Sequence, residues 1–274
     1  MKYSVLMSVY AREKPEYLRQ SMLSILNQSI PTDDFVLVCD GPLDAGLNEC
    51  IAEMQEEFGG ALNVVRLEAN EGLGSALNIG LGYCKHELVG RMDSDDISFR
   101  DRFERQLEIM RQNPEISVLS GTVLEFQGDV ERIIGRRELP ETDRAIRRYA
   151  QRRCPFNHPA VMFRKSMVAK AGGYRMCHLR FEDYDLWNRM LLAGGKGRNI
   201  REPLLYMRTS EDFYVRRGGI AYAREVLRFR WGMYALGWSS LWDFLAGAIP
   251  QTMVCLSPNW VRKAVYKRLH AVRG

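Results

Sequence analysis

The chain has little of what builds most protein metal cages. It holds four histidines, and its six cysteines, at 39, 50, 84, 154, 177 and 255, form no CxxC pair and have no histidine partners at zinc spacing. That excludes a zinc finger or ribbon and leaves the cysteines as reduced, mostly buried thiols. No Gly-x-Gly-x-x-Gly follows the opening strand, which excludes the dinucleotide fingerprint. There is no low-complexity tract, no internal repeat and no recognised nucleic-acid module. Met1-Lys2 leads directly into a strand pattern, so we expect no cleavable secretory signal and a cytoplasmic location.

What is present is ordinary for a folded protein: 274 residues, 46% hydrophobic and 27% charged, enough for one large α/β domain or a domain with an appendage. The net charge of +5 is unevenly placed. Residues 216 to 274 carry ten Arg or Lys against two acids, while residues 1 to 215 carry 29 bases against 32 acids, so the basic excess is entirely C-terminal.

Tyr3 to Tyr10 is a short apolar run of the kind covered on both faces of a sheet, and Pro15 then opens a helix with apolar residues at three- and four-residue spacing. Asp34 to Gly41 reads as a second strand, Leu47 to Phe58 as a helix and Leu62 to Leu67 as a third strand. A glycine-bearing turn, Asn70 to Gly80, runs into a further helix, and Leu88 to Asp93 is the next strand. Strand and helix alternate throughout this half, which predicts a parallel sheet with helices on both faces and a ligand site beyond the carboxyl ends of the strands. Further on we expect strands at Ile116–Ser120, Val130–Gly135 and Asn157–Phe163, and helices over Thr142–Arg153, Ser166–Ala171 and Asp183–Leu192.

Two acidic clusters stand out. Asp93, Asp95 and Asp96 crowd the end of a buried strand, where like charges resist desolvation unless a cation neutralises them. A divalent ion, Mg²⁺ or Mn²⁺, held between Asp95 and a donor diphosphate is the simplest neutraliser; the spacing and closing glutamate of a calcium loop are absent. The second cluster, Glu182, Asp183 and Asp185, opens a helix, and any of the three is placed to serve as a general base. One acidic loop for a metal and another for a base suits transfer of a group from a phosphorylated donor. Gly72 and Gly74 would let backbone approach such a donor closely, or simply form a tight turn.

In this order, the strand Ser4–Tyr10, Asp40, the turn Asn70–Gly80, Asp93-Ser94-Asp95-Asp96 and Glu182 to Trp187 resemble the inverting family-2 glycosyltransferases with the GT-A fold, over roughly residues 1 to 210. Within that family the chain looks most like the bacterial enzymes of exopolysaccharide and O-antigen assembly, including the amylovoran-biosynthesis type. The resemblance implies a Rossmann-like mixed, mostly parallel sheet flanked by helices, and a hexose or N-acetylhexosamine moved from a UDP-sugar to a polyprenyl-diphosphate-linked acceptor. It implies Asp183 as the base, donor contacts from Tyr10, Asp40, Asn70, Gly72 and Asp93, with Asp40 at the uracil and Asp93 at the ribose, and Asp95 at the metal. Asp96 would orient its neighbours. The chain departs from the pattern twice: the usual two acids before Gly-Ser are reduced to Cys39-Asp40-Gly41-Pro42, and Tyr206-Met207-Arg208-Thr209-Ser210 offers no histidine as a third metal ligand.

His158, Glu182 and Trp187 are acceptor-side candidates, although His158 reads equally as a buried structural histidine and Trp187 as core. Among His178, Arg180, Arg216 and Arg217, cations able to close over a diphosphate, Arg217 is the one we expect there. Residues 1–212 form the expected transferase domain. Residues 213–274 form a basic amphipathic helical appendage in which Ala221–Leu236 is helical, Trp231–Ser257 is apolar but interrupted, and Trp260–Arg273 has the pattern of a helix lying on an anionic bilayer. The expected location is the cytoplasmic face of the inner membrane. Two alternatives are a sugar-nucleotide pyrophosphorylase, against which the glycine-free stretch Tyr10–Pro15 argues, and a non-catalytic nucleotide-sugar-binding protein.

Overall fold

The computed structural model describes residues 1–175, 180–209 and 218–270, with side chains to residue 265. Strands β1 (Ser4–Val9), β2 (Phe35–Cys39), β3 (Leu62–Arg66) and β4 (Leu88–Asp93) alternate with helices α1 (Pro15–Leu26), α2 (Ala45–Phe58) and α3 (Leu73–Tyr83). The four strands pair in parallel in the order β3-β2-β1-β4, so the chain leaves β1, β2 and β4 on one edge. Tyr10, Asp40 and Asp93 therefore meet at that edge, as the alternation of strand and helix predicts.

Beyond β4 the sheet becomes mixed. After β5 (Ile97–Ser98) and α4 (Arg102–Gln112), β6 (Ile116–Gln127) and β7 (Asp129–Arg137) form a hairpin longer than the two short strands expected from sequence. α5 (Asp143–Ala150) leads to β8 (Met162–Arg164), antiparallel to both β4 and β6. The strand expected at Asn157–Phe163 is thus only partly one, because His158–Ala160, with Pro159 inside it, makes a 3-10 turn. α6 (Lys165–Lys170) and α7 (Glu182–Leu192) precede β9 (Lys196–Arg208), which pairs with β6 and with β5. In that pairing Gly121 faces Ile200 while Thr122 faces Pro203, so the extra residues bulge out and Pro203 needs no ladder donor at the break.

The core lies on both faces of the sheet. Val5, Met7 and Val9 of β1 pack on α1, α2 and α4, while Leu6 packs with α3 and with Leu186, Trp187 and Met190 of α7. The last three helices are α8 (Ile220–Ala235), α9 (Leu241–Leu256) and α10 (Asn259–His270). They form a layer seated on α7 through Phe181, Tyr184, Tyr222, Val226 and Phe229. Pro250 lies inside α9 rather than ending it. Among the described residues no helix is long and apolar enough to cross a membrane.

One glycine in β4 shows how tightly the strand that delivers the acids is held. A Cβ on Gly90 would lie 2.3 Å from Phe103 Cε1, in the fully buried layer beneath the sheet. We expect Gly90→Ala to cost about 2 kcal/mol through overpacking. Urea unfolding followed by circular dichroism checks it; an unchanged midpoint would refute the contact.

Candidate active site

Asp40, at the end of β2, is buried, and its carboxylate is fully engaged. Oδ1 accepts from Glu71 N at 2.7 Å, and Oδ2 from Gly72 N and Asn70 Nδ2, both at 3.1 Å. Gly41 must be glycine for this closure: its φ is +88°, and a Cβ there would sit 2.7 Å from Asn70 N. Asp40 therefore clamps the Asn70–Gly72 turn at the start of α3. A direct uracil contact from its carboxylate would have to compete with three donors already in place. Tyr10, just past β1, is exposed at the same edge.

The acid triplet is built by β4 and closed over by β9. Asp93 Oδ1 accepts from Arg91 Nη2, and Arg91 is itself only 1% exposed. Ser94 Oγ donates to Glu13 Oε2 at 2.6 Å, which brings a further acid beside the triplet. Asp96 is buried; its Oδ1 accepts from the Arg208 backbone N at 2.8 Å, while Oδ2 has no partner among the described residues. Arg208 Nε donates to Asp95 O at 3.0 Å, and its guanidinium lies 3.9 Å from the Tyr17 ring and donates to Gln20.

This arrangement is short of positive charge. Burial, and next the charges of Asp93 and Glu13, push Asp95 up to about 7, and burial with Asp95 and Asp93 raises Asp96 well above the usual carboxylate range. A divalent cation at Asp95, Mn²⁺ or Mg²⁺, fits that deficit. Among the described residues no group of three His, Cys, Asp or Glu is arranged to hold a metal by itself. An ion held there would take one or two carboxylates from the protein, in the manner of Mg²⁺ sites that bind substrate phosphates.

The second cluster lies at the start of α7. Asp183 Oδ1 accepts from Tyr184 N at 2.7 Å, and its Oδ2 accepts from the Cys154 thiol at 3.6 Å. Asp185 is buried and forms an ion pair with Arg189 one turn on, 2.7 Å away, so it is structural. Glu182 is pushed up to about 7, first by burial and then by the charge of Asp183, and its Oε2 is buried without a partner among the described residues. Asn78 on α3 bonds Tyr174 reciprocally, at 2.7 and 2.8 Å, which joins the donor-side helix to the segment leading into α7.

Arg91 stands between the clusters. Besides pairing Asp93, its charge acts on Glu182, Tyr174 and His158, and its Nε and Nη1 have no partner among the described residues. His158 bonds Tyr174 Oη at 2.9 Å; burial and the Arg91 charge hold it well below its ordinary value, so it is neutral. Trp187 is fully buried among Phe156, His158 and Phe163. It supports the site from below and presents no floor to an acceptor, which corrects the acceptor-side expectation for it. His178, Arg216 and Arg217 lie outside the described residues, and Arg180 stacks over Tyr222 at 5.1 Å. Sequence reasoning missed Glu13, Arg91 and Arg208; strand order and chain return bring Glu13 and Arg208 to the triplet, whereas Arg91 stands two residues before Asp93 on β4 and could have been found from the alternation of strand side chains.

Comparison with known proteins decides the family. The profile described as glycosyl transferase family 2 matches residues 4–172. The chain belongs to glycosyl transferase family 2. It is 37% identical over 271 residues to the UDP-Gal:alpha-D-GlcNAc-diphosphoundecaprenol beta-1,3-galactosyltransferase of Escherichia coli, covering 98% of this chain and 96% of that one. It is 36% identical to the amylovoran biosynthesis glycosyltransferase AmsE of Erwinia amylovora, covering 97% and 98%. Among solved structures, the mannosyltransferase PcManGT of Pyrobaculum calidifontis, in complex with GDP-Man and Mn²⁺, superimposes with a TM-score of 0.68 at 15% identity, covering 98% of this chain and 80% of that one. Staphylococcus aureus TarS 1-349 with UDP-GlcNAc gives 0.63 at 18% identity, covering 84% and 66%. The fold is GT-A, with added C-terminal helices.

The electrostatics set a pH test for the metal site. Asp95 and Asp96 bind protons more tightly folded than unfolded, so the metal-free protein loses stability as pH rises from about 4 through about 7. A cation relieves that loss. We expect Mn²⁺ to raise Tm more at pH 8 than at pH 5 and Asp95→Ala to remove the effect; melting curves indifferent to Mn²⁺ at pH 8 would exclude the site.

Proposed function

We propose that the protein is a metal-dependent inverting hexosyltransferase that moves a hexose or N-acetylhexosamine from a UDP-sugar to a saccharide carried on polyprenyl diphosphate, in assembly of an extracellular polysaccharide or O-antigen repeat unit. The observation that carries this reading is the placement of two carboxylate groups, Asp93-Asp95-Asp96 and Glu182-Asp183, on either side of one buried arginine. The near full-length likeness to a galactosyltransferase named for a diphosphoundecaprenol acceptor supports the donor and acceptor classes. The same acceptor class supports work at the cytoplasmic face of the inner membrane, on its surface.

Asp183 takes the proton from the acceptor hydroxyl as that oxygen attacks C1 of the sugar. The new C1–O bond forms as the bond from C1 to the UDP oxygen breaks, and attack opposite the leaving group turns an α-linked donor into a β-linked product. Asp95 would hold a Mn²⁺ or Mg²⁺ ion, whose positive charge would stabilise a departing diphosphate. Asp93 contacts the ribose, while Asp40 holds the Asn70–Gly72 turn that shapes the donor pocket. Arg217, outside the described residues, is the cation the sequence offers for the diphosphate. His158 and Glu182 line the acceptor side, and Glu182, protonated near neutrality, can donate a hydrogen bond there.

The roles of the two adjacent acids separate in a pH profile. Asp183→Asn should lower turnover by about 10² to 10⁴, the usual worth of a general base, with UDP binding retained. Glu182→Gln should keep measurable transfer, because the amide can donate the hydrogen bond of the protonated acid, and should remove from the kcat/KM profile the titration near pH 7 that belongs to Glu182. Nucleotide release from a panel of UDP-sugars, with and without a synthetic lipid-diphosphate-sugar acceptor, reads all three proteins. Unaltered transfer by Asp183→Asn would overturn the assignment.

A further inference from the structure

The exposed side of the C-terminal helices is not a normal protein surface. On α9, Trp242, Leu245, Ile249, Met253 and Leu256 recur at three- and four-residue spacing and are all exposed, and no charged side chain lies on that face. Trp231 of α8 packs edge-on against Phe244 of α9 and borders the stripe, and Trp260 opens α10 just beyond it. Three of the five tryptophans of the chain are thus 58%, 70% and 75% exposed on one layer. Scattered exposed apolar residues are normal, but a contiguous patch of this kind marks an interaction surface.

Charge selects the partner. Residues 218–270 contain two acids, and both are neutralised: Glu225 by Arg228 at 3.2 Å, and Asp243 by Arg152 at 2.8 Å. Arg224 of α8 and Lys263 of α10 are exposed on the two helices that contact α9, with Lys267 and Arg268 following in sequence. A second copy offering the same face would set like charges against each other. An anionic bilayer complements the charge, takes the apolar side chains below its headgroups and accepts tryptophan at the interface. α9 has 16 residues and an inner face carrying Asp243, so it is suited to lying in that surface and not to crossing it.

We propose that the exposed face of α8 and α9, and not α10 alone as the sequence suggests, seats the protein on an anionic lipid surface and so holds the α7 acids beside it. This deepens the reading above and rests on its lipid-linked acceptor. The mechanical link is short. The Phe229 ring of α8 stacks on Phe181, the residue before Glu182-Asp183, with centroids 4.9 Å apart and planes 6° from parallel. Arg230 bonds Tyr184 Oη of α7 and Gln251 of α9.

The test uses the full chain and vesicles of phosphatidylcholine with or without phosphatidylglycerol. We expect co-sedimentation with the anionic vesicles that weakens with salt, quenching of tryptophan fluorescence by brominated lipid, and about tenfold weaker binding for Trp242→Glu/Met253→Glu. Both side chains are exposed, and circular dichroism checks that the variant is folded. Wild-type protein left in the supernatant, or a variant that binds as wild type does, overturns the proposal. So does a wild-type dimer, without vesicle binding, that the variant converts to monomer. Transfer to a detergent-dispersed short-chain acceptor is measured in parallel. Transfer without vesicle binding overturns the docking face alone, and vesicle binding without transfer from any donor supports the face and overturns the transferase substrates proposed above.

Discussion

The site depends on one buried guanidinium. β4 is the point at which the parallel half of the sheet meets the mixed half, and its penultimate inward position is given to Arg91, which is almost wholly enclosed. A buried charge is tolerated only where opposite charge lies close, and here the compensation comes from both sides: Asp93 by direct contact, and Asp96 and Glu182 through the field of the cluster. Without that cation, carboxylates of β4 and α7 would be pushed apart or kept protonated. With it, their proton affinity is lowered but not brought back to the ordinary range, so the triplet still lacks enough positive charge to be satisfied. A centre that is nearly but not fully neutralised suits a divalent ion that arrives and leaves with a diphosphate.

Arg208 performs the matching task from the opposite side of the triplet. Its backbone N–H and its Nε hold Asp96 and the Asp95 carbonyl, so the loop after β4 is fixed to the last strand of the sheet, and its guanidinium is sandwiched near Tyr17 and Phe126. Hydrogen bonds to fixed backbone groups position the acid loop; the aromatic contacts position the arginine. Asp40 likewise acts through another segment, since its carboxylate organises the Asn70–Gly72 turn. The rigid elements of this site are thus charged residues turned inward on backbone.

The parallel half was legible because its strands are short apolar runs, two of them ending at Asp40 and Asp93, and because Pro15 and the helical spacing of Leu18, Met22 and Ile25 mark the crossover. The acid clusters were legible because acids at a buried strand end have no packing rationale. β9 was not, except at its end. Its first residues, Lys196 to Pro203, mix charge, glycine and proline, and they become strand only because β6 lies alongside and a bulge absorbs Pro203. Trp187 and Asp185 could be assigned only from burial: one is core, the other an ion pair within its own helix, and a sequence shows neither enclosure nor partner.

The change in composition after residue 212 suggests a separable appendage, but the packing argues for a layer that completes the surroundings of α7. α8 covers Phe181 and Tyr184 with Tyr222, Val226 and Phe229, and Arg230 reaches Tyr184 Oη and the Gln151 carbonyl in the segment after α5. Removing residues 213–274 would expose aromatic side chains that flank Asp183 and leave the Tyr184 hydroxyl without its arginine. Loss of activity in such a truncation would then follow from disruption of α7 whether or not a membrane is involved. Substitutions confined to the solvent side of α9, which touch none of these contacts, are what can separate where the protein sits from what it does there.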